Sequence, residues 1–315
     1  VGHNAVLRWS AVRDVATPDP VEDGNLLFWA VDRVSEDFDM SFRLQLNGFV
    51  GRFVAYTGVG FQEGVSLTVH DEIIRLRKYA WGACEMVFNP IPTWFSRGIF
   101  ARQFRQWVAC TQVPWYTKLD VLGYLGTYFA MACGVGGIWY STLLWTLVPD
   151  SHGTGVTSFD VLITITWLFG VFGTLGMALV RYRINYDHYN EHGICWALFS
   201  EFRHAPVIAI FWNAIPFHLS ITCFRYFFGF SMSFGATVKD VDENESCCSY
   251  LLKTVRRYQS MYVAMFVMIM AYAALIVAFP GRATDIPVVV PLSIFIAGHV
   301  IGPYLLDPTI VRMIY

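Results

Sequence analysis

Polar and apolar positions change rhythm near Asp120. Before it, charged residues recur every few positions; from Val121 onward long uncharged runs dominate. A helix needs about 20 apolar residues to cross a bilayer. Four runs reach that length without Asp, Glu, Lys or Arg: Val121–Pro149, Val161–Val180, Tyr258–Gly281 and Ile286–Leu306. Glycines at 123, 126, 134, 136 and 137 mark the first run as a helix that packs closely in a bundle. A fifth apolar stretch, Ala205–Val238, is interrupted by Pro216 and Arg225.

The basic residues orient these runs. Arg97, Arg102, Arg105 and Lys118 precede the first, whereas the loop Asp150–Asp160 has neither Lys nor Arg. Arg181, Arg183 and Arg203 follow the second run, and Lys239, Lys253, Arg256 and Arg257 precede the third. Positive charge collects on the cytosolic side, so residues 1–120 and both basic loops are expected there. Ala205–Val238 then crosses an even number of times, re-enters, or lies in the interface. Pro216 and Gly229 suit a broken helix, which is tolerated where it is buried in protein or lines a wet cavity.

In the first 120 residues, Ser35 is placed to cap a helix Glu36–Leu46, with Asn47-Gly48 as its stop. "RFVAYTGVGFQEGVSLTV", Arg52–Val69, reads as strand, Gly-rich turn and helix entry. The helix itself is expected from near His70-Asp71-Glu72 through Phe88. This suits half of an α/β domain. A complete nucleotide-binding sheet with crossover helices needs more chain.

Composition narrows the class. Charged residues make up 15% of the 315, below the roughly 25% of soluble domains, and 55% are hydrophobic. A formal charge of −2 with no basic stripe argues against nucleic acid as a partner. The seven Cys form no CxxC, which argues against a zinc site or disulfide framework. Cys247-Cys248 reads as buried thiols or as an acylation site beside a basic segment. His188 and His192 share an i, i+4 spacing without the Glu of an HExxH zinc site.

Candidate chemistry gathers in "SEDFDM", Ser35–Met40. Glu36 and Asp37 fall in a helix first turn, where the macrodipole favours anions. Residue type alone allows an ordinary acidic first turn or a catalytic carboxylate. Asp39 points about 200° round the helix from Asp37 and is expected to be solvated.

The order of "SEDFDM", "EGVSLTV" (Glu63–Val69), "RLRKY" (Arg75–Tyr79), the apolar runs and "FGATVK" (Phe234–Lys239) resembles membrane-embedded family 2 glycosyltransferases. These are the cellulose, chitin, hyaluronan and mixed-linkage glucan synthases, and the fungal cellulose-synthase-like branch is the most similar. The resemblance implies that Ser35-Glu36-Asp37 matches the family's Thr-Glu-Asp, with Asp37 as general base and Glu36 orienting the acceptor or a cation. Arg75–Tyr79 stands where the family has Gln-x-x-Arg-Trp before a Gly. Lys78 would then face the diphosphate, with Arg75 or Arg77 compensating for the missing guanidinium, and Tyr79 would stack on the acceptor sugar. Arg77 otherwise reads as an ordinary interface cation. Phe234, Thr237 and Lys239 would belong to a gating loop, though a membrane-exit turn with a snorkelling Lys has the same look. Asn4 and Arg8, in "GHNAVLRW", fall near the expected acceptor.

The fold class implied is a partial α/β glycosyltransferase domain over 1–120, followed over 121–315 by a multi-pass helical bundle with a gating segment near 234–257. The function implied is processive, inverting β-transfer from a UDP-sugar, UDP-glucose foremost, onto a polysaccharide moved across the plasma membrane. The alternatives are a non-processive enzyme on a lipid acceptor and a transporter or channel subunit. Arg225 and the rings of Trp139, Trp145, Trp167 and Trp212 read as channel-facing groups or as interface anchors. A divalent metal, Mg or Mn, is implied, with no ligand nameable here. Asp37-Phe38-Asp39 and Asp240-Val241-Asp242 have Asp-x-Asp spacing but stand outside the family's metal position. The donor-binding half is expected upstream of Val1, leaving these residues inactive alone.

Overall fold

The computed structural model describes residues 5–19, 21–22, 24–52, 66, 68–148, 157–184, 193–232 and 247–307. In chain order the helices begin with α1 (Trp9–Asp14), α2 (Glu36–Leu46), α3 (Val69–Val87), α4 (Trp94–Arg97) and α5 (Arg102–Ala109). Next come α6 (Trp115–Ala132), α7 (Gly134–Leu147), α8 (Ser158–Ile165) and α9 (Thr174–Ile184), then α10 (Gly193–Phe202), α11 (Ala205–Asn213) and α12 (Pro216–Phe227). The last are α13 (Cys247–Arg257), α14 (Gln259–Ala278), α15 (Pro280–Ala283) and α16 (Ile286–Leu305).

The α/β layer expected before Asp120 is not evident among the described residues. Their sheet is a two-residue antiparallel ladder, β1 (Thr17–Pro18) on β2 (Leu26–Leu27). Of the stretch read as strand and turn, 53–65 and 67 lie outside the described residues.

The chain divides into two compact units. The first comprises Val1–Ala55, Ile74–Ala132 and Leu219–Ala236. In it, Met40 and Leu44 of α2 pack on Ala11, Val12 and Val15, with Leu7, Phe28 and Phe49 at the margin. The other side of α2 rests on α5: Phe42 stacks on the fully buried Trp107 at 4.8 Å, and Trp107 Nε1 donates to Gln45 Oε1 at 2.8 Å. Burying the indole with its N–H satisfied avoids the cost of an unmatched donor. Asn47 ends α2 and Gly48 turns away at φ +80°, a conformation that favours glycine, as the sequence indicates.

The second unit comprises Tyr56–Ile73, Cys133–His218 and Thr237–Tyr315. Thr68 and Asp71 exchange hydrogen bonds across the first turn of α3, the hydroxyl donating to the carboxylate at 2.7 Å. Asp160 and Thr157 cap α8 in the same reciprocal way. Between α8 and α9 the helix widens over Thr166–Gly173, where Thr174 Oγ1 donates to Phe169 O five residues back. On α16, Gly298 lies so close to Asn213 that a Cβ would collide with the amide, and a Cβ on Gly302 would stand 2.8 Å from that of Ala214. The small residues thus let α11 and α16 meet backbone to backbone. The buried His299 completes this region. Its Nδ1–H donates to Phe295 O at 2.8 Å, and its Nε2 accepts from Phe217 N, a first-turn N–H of α12, at 3.2 Å.

Among the described residues, four helices are long and apolar enough to cross a membrane: Ser158–Val180, Gly193–Phe227, Gln259–Ala278 and Ile286–Leu305. Three coincide with expected runs. The fourth extends the ambiguous stretch back to Gly193. The run Val121–Pro149 differs from expectation, because it is not one helix: α6 ends at Ala132 and α7 begins at Gly134. Cβ atoms on Gly123, Gly126, Gly136 and Gly137 would meet nothing within 4 Å, so only Gly134, beside Pro216, packs as the glycine pattern suggested.

Candidate active site

The carboxylates of "SEDFDM" part company on α2. Asp37 is half-buried, and its Oδ1 accepts from Phe38 N at 2.8 Å; Glu36 is likewise half-buried. Asp39, expected to be solvated, is only 6% exposed. The 200° rotation turns it inward, toward the core under α2. Arg43 Nε donates to Asp39 Oδ2 at 2.7 Å, and Arg33 stands 3.5 Å from Oδ1. The same Arg43 guanidinium donates to Val15 O at 2.7 Å and Phe28 O at 2.8 Å, tying loop backbone to the helix. Arg33 also donates to Gln103 Oε1 at 2.9 Å.

The entrance of α2 is held from α3. Ser35 occupies the cap position, but its side chain makes no capping bond. It is buried against Gly82 instead, where any Cβ would collide with the hydroxyl. Glu85, one turn further on, accepts from Val34 N at 2.9 Å and from Trp81 Nε1 at 3.2 Å. Burial raises the Glu85 pKa, against the pull of those hydrogen bonds and the charge of Arg33. The glycine after the Arg75–Tyr79 run therefore has a local reason: it is the seat of the helix that carries Asp37.

A row of rings runs from α2 to α3. Phe38 stacks on Tyr124 at 5.5 Å and 12°. Tyr128 OH donates to Tyr124 OH at 2.9 Å, and Tyr128 meets the edge of Tyr79 at 6.4 Å. Arg75 stands over Tyr79, with Cζ 5.9 Å from the ring centroid. Tyr128 is buried within the row, whereas Tyr124 is exposed and Tyr79 half-buried; an accessible tyrosine ring suits a sugar's alternating C–H and O–H surface. Tyr124 and Tyr128 were not singled out in the sequence, although their i, i+4 spacing in an apolar run was a visible sign.

The other sequence candidates separate. Arg75 and Lys78 are exposed, Tyr79 is half-buried and Arg8 is exposed. Arg77 is not the interface cation expected. It is half-buried against α12, and its Nε donates to Thr222 Oγ1 at 3.3 Å. Arg225 is exposed in the last turn of α12, and Trp145 Nε1 donates to Asp285 at 2.9 Å. Asn4, Phe234, Thr237, Lys239, His188, His192 and Asp240-Val241-Asp242 lie outside the described residues.

Asp37-Phe38-Asp39 does not fit a divalent cation, since two guanidiniums engage Asp39 and the two carboxylates face opposite sides of α2. Among the described residues no group of three His, Cys, Asp or Glu is placed to hold a metal ion. What the site offers is two half-buried carboxylates, Glu36 and Asp37, on a braced helix, an aromatic row beside them, and surface cations on the helix that braces it. A family model described as Glycosyl transferase family group 2 matches residues 1–279 of the chain. No curated protein and no solved structure matches it.

Proposed function

Because the chain belongs to glycosyl transferase family group 2 and is a glycosyltransferase, we propose that it performs processive, inverting β-transfer. Glucose would pass from UDP-glucose to a growing glucan, which then crosses the membrane through the helices after Val121. The membrane is the plasma membrane, residues 1–120 lie on its cytosolic side, and the segment near 234–257 gates the donor site. The branch is the fungal cellulose-synthase-like one.

Asp37 takes the proton of the acceptor hydroxyl as that oxygen attacks C1 of the donor sugar. The bond from C1 to the diphosphate oxygen breaks, and the nucleoside diphosphate leaves with its electron pair. Asp37 suits this role by position: it stands half-buried in the first turn of α2, beside the ring of Phe38. Glu36 orients the acceptor. Tyr79, backed by the buried Tyr128, stacks on the acceptor sugar, the exposed Tyr124 offers a second ring, and Arg75 and Lys78 face the diphosphate. Asn4 and Arg8 contact the acceptor, and Phe234, Thr237 and Lys239 close over the donor. Family 2 enzymes commonly use a divalent metal, and its ligands are not assigned to residues of this chain.

The ring row carries the reading. Its continuous aromatic contacts fix the helix of Asp37 relative to Tyr79, which keeps the base and the stacking ring in register for repeated transfers. The test is the product formed by the full-length protein in membranes supplied with radiolabelled UDP-glucose. The reading expects long insoluble glucan at the earliest times, with short chains absent. Label confined to a solvent-extractable lipid would instead identify the non-processive alternative, and no incorporation would overturn the donor.

A further inference from the structure

Arg77 sits between Arg75 and Lys78 in sequence but faces another side of α3. Its Nε donates to Thr222 Oγ1 at 3.3 Å, and a terminal nitrogen lies 3.8 Å from Met232 Sδ. A guanidinium has five N–H donors, so most of these are unmatched. Among the described residues no carboxylate pairs with it. Half-buried charges ordinarily find an opposite charge or a full set of hydrogen bonds.

The charge that acts on Arg77 has the same sign. Thr222 and Arg225 stand three apart on one face of α12. An Arg225 terminal nitrogen donates to Ser231 O at 3.0 Å, next to the Met232 that Arg77 touches. The two guanidiniums therefore flank the same dipeptide, Ser231-Met232. A tight helix end brings that dipeptide back. Gly229 has φ +74°, Gly229 N donates to Tyr226 O at 3.0 Å, and Phe230 N donates to Arg225 O at 2.9 Å. Burial first, and then the charge of Arg225, lower the Arg77 pKa.

We propose that Arg77 and Arg225 together hold a phosphate-bearing anion. Planar guanidinium forks match phosphate oxygens two at a time. An anion between them would relieve their repulsion and engage the unmatched donors of Arg77. Two sources share this chemistry. One is the diphosphate of a leaving nucleotide, which rests on the glycosyltransferase reading. The other is a membrane phospholipid, since Arg225 lies in the last turn of the candidate span Gly193–Phe227.

The protein in a phosphate-free non-ionic detergent is titrated with inorganic pyrophosphate by calorimetry. In a parallel arm, native mass spectrometry follows phosphatidylglycerol retained from mixed micelles. The proposal expects one probe to bind the wild type, more weakly as salt rises. Arg225→Gln should weaken that binding by about tenfold or more, and Arg225→Lys should keep part of it. Arg77→Gln should act alike; if it fails to fold, the exposed Arg225 variants decide. Pyrophosphate binding assigns the nucleotide source, and lipid binding the membrane source. Binding of neither probe, or wild-type binding by Arg225→Gln, overturns the proposal. Asp32→Asn should bind as wild type in both arms, and glucose incorporation measured in parallel reads the proposed catalysis separately from a failure here.

Discussion

At Glu85 a single carboxylate holds the start of α2, accepting the Val34 and Trp81 N–H groups from its place on α3. Burial outweighs those bonds and lifts its pKa above the ordinary 4.5. The native state therefore binds the Glu85 proton more tightly than the unfolded chain does. Its contribution to stability is full below the unfolded value and is lost as pH rises through the raised one. Thermal unfolding of wild type and Glu85→Gln from about pH 4 to about pH 7 tests this. The wild type should lose stability relative to the variant as pH rises, on top of a constant offset from the acceptor that Gln lacks. Parallel profiles would contradict the assignment. Beside it, Asp37 and Asp39 show how far residue type carries. The angle between them is legible in the sequence, but which side faces inward is not, because that depends on α1 and on Arg43, whose reach to Val15 O and Phe28 O has no sequence signal.

Among the elements, α2 and α3 were legible nearly to the residue, since Ser35, Asn47-Gly48 and the polar run before Ile73 mark their ends. The break at Cys133 was not, because no proline or charge announces it, and the widened turn at Thr166–Gly173 shows in the sequence only as an apolar run. Packing of small residues was also read in the wrong place. The glycine-rich α6 and α7 leave most of their glycines open, whereas Gly298 and Gly302 on α16 seat α11. Ala in place of an open helical Gly ordinarily stabilises by roughly 0.5–1 kcal/mol. Gly136→Ala should do so, while Gly298→Ala, forced against Asn213, should destabilise by about 1–3 kcal/mol. Thermal unfolding in detergent gives both signs; a stabilising Gly298→Ala would refute the close approach of α11 and α16.

For the whole molecule, the apolar excess after Val121 pointed to a membrane protein, and four helices of sufficient length bear out the pattern. The family was legible because several short motifs stand in one order, and the match over residues 1–279 shows the same family. The α/β layer rested on the strand-and-turn reading of Arg52–Val69 as well as on that resemblance; it is the part not evident among the described residues, and most of that stretch lies outside them. Of the site, Asp37 and Tyr79 come from motif spacing; Tyr124 and Tyr128 are marked only by their i, i+4 spacing, inside an apolar run that reads as membrane helix.

The central claim is that Asp37 is the general base, and activity in membranes tests it most directly. Asp32, exposed in the same unit, is the control. Asp39 cannot serve, because removing one partner of a buried ion pair costs about 3–5 kcal/mol. Incorporation of glucose from UDP-glucose should fall by about 100-fold or more in Asp37→Asn and remain at the wild-type level in Asp32→Asn. Equal incorporation by the two variants would contradict the account.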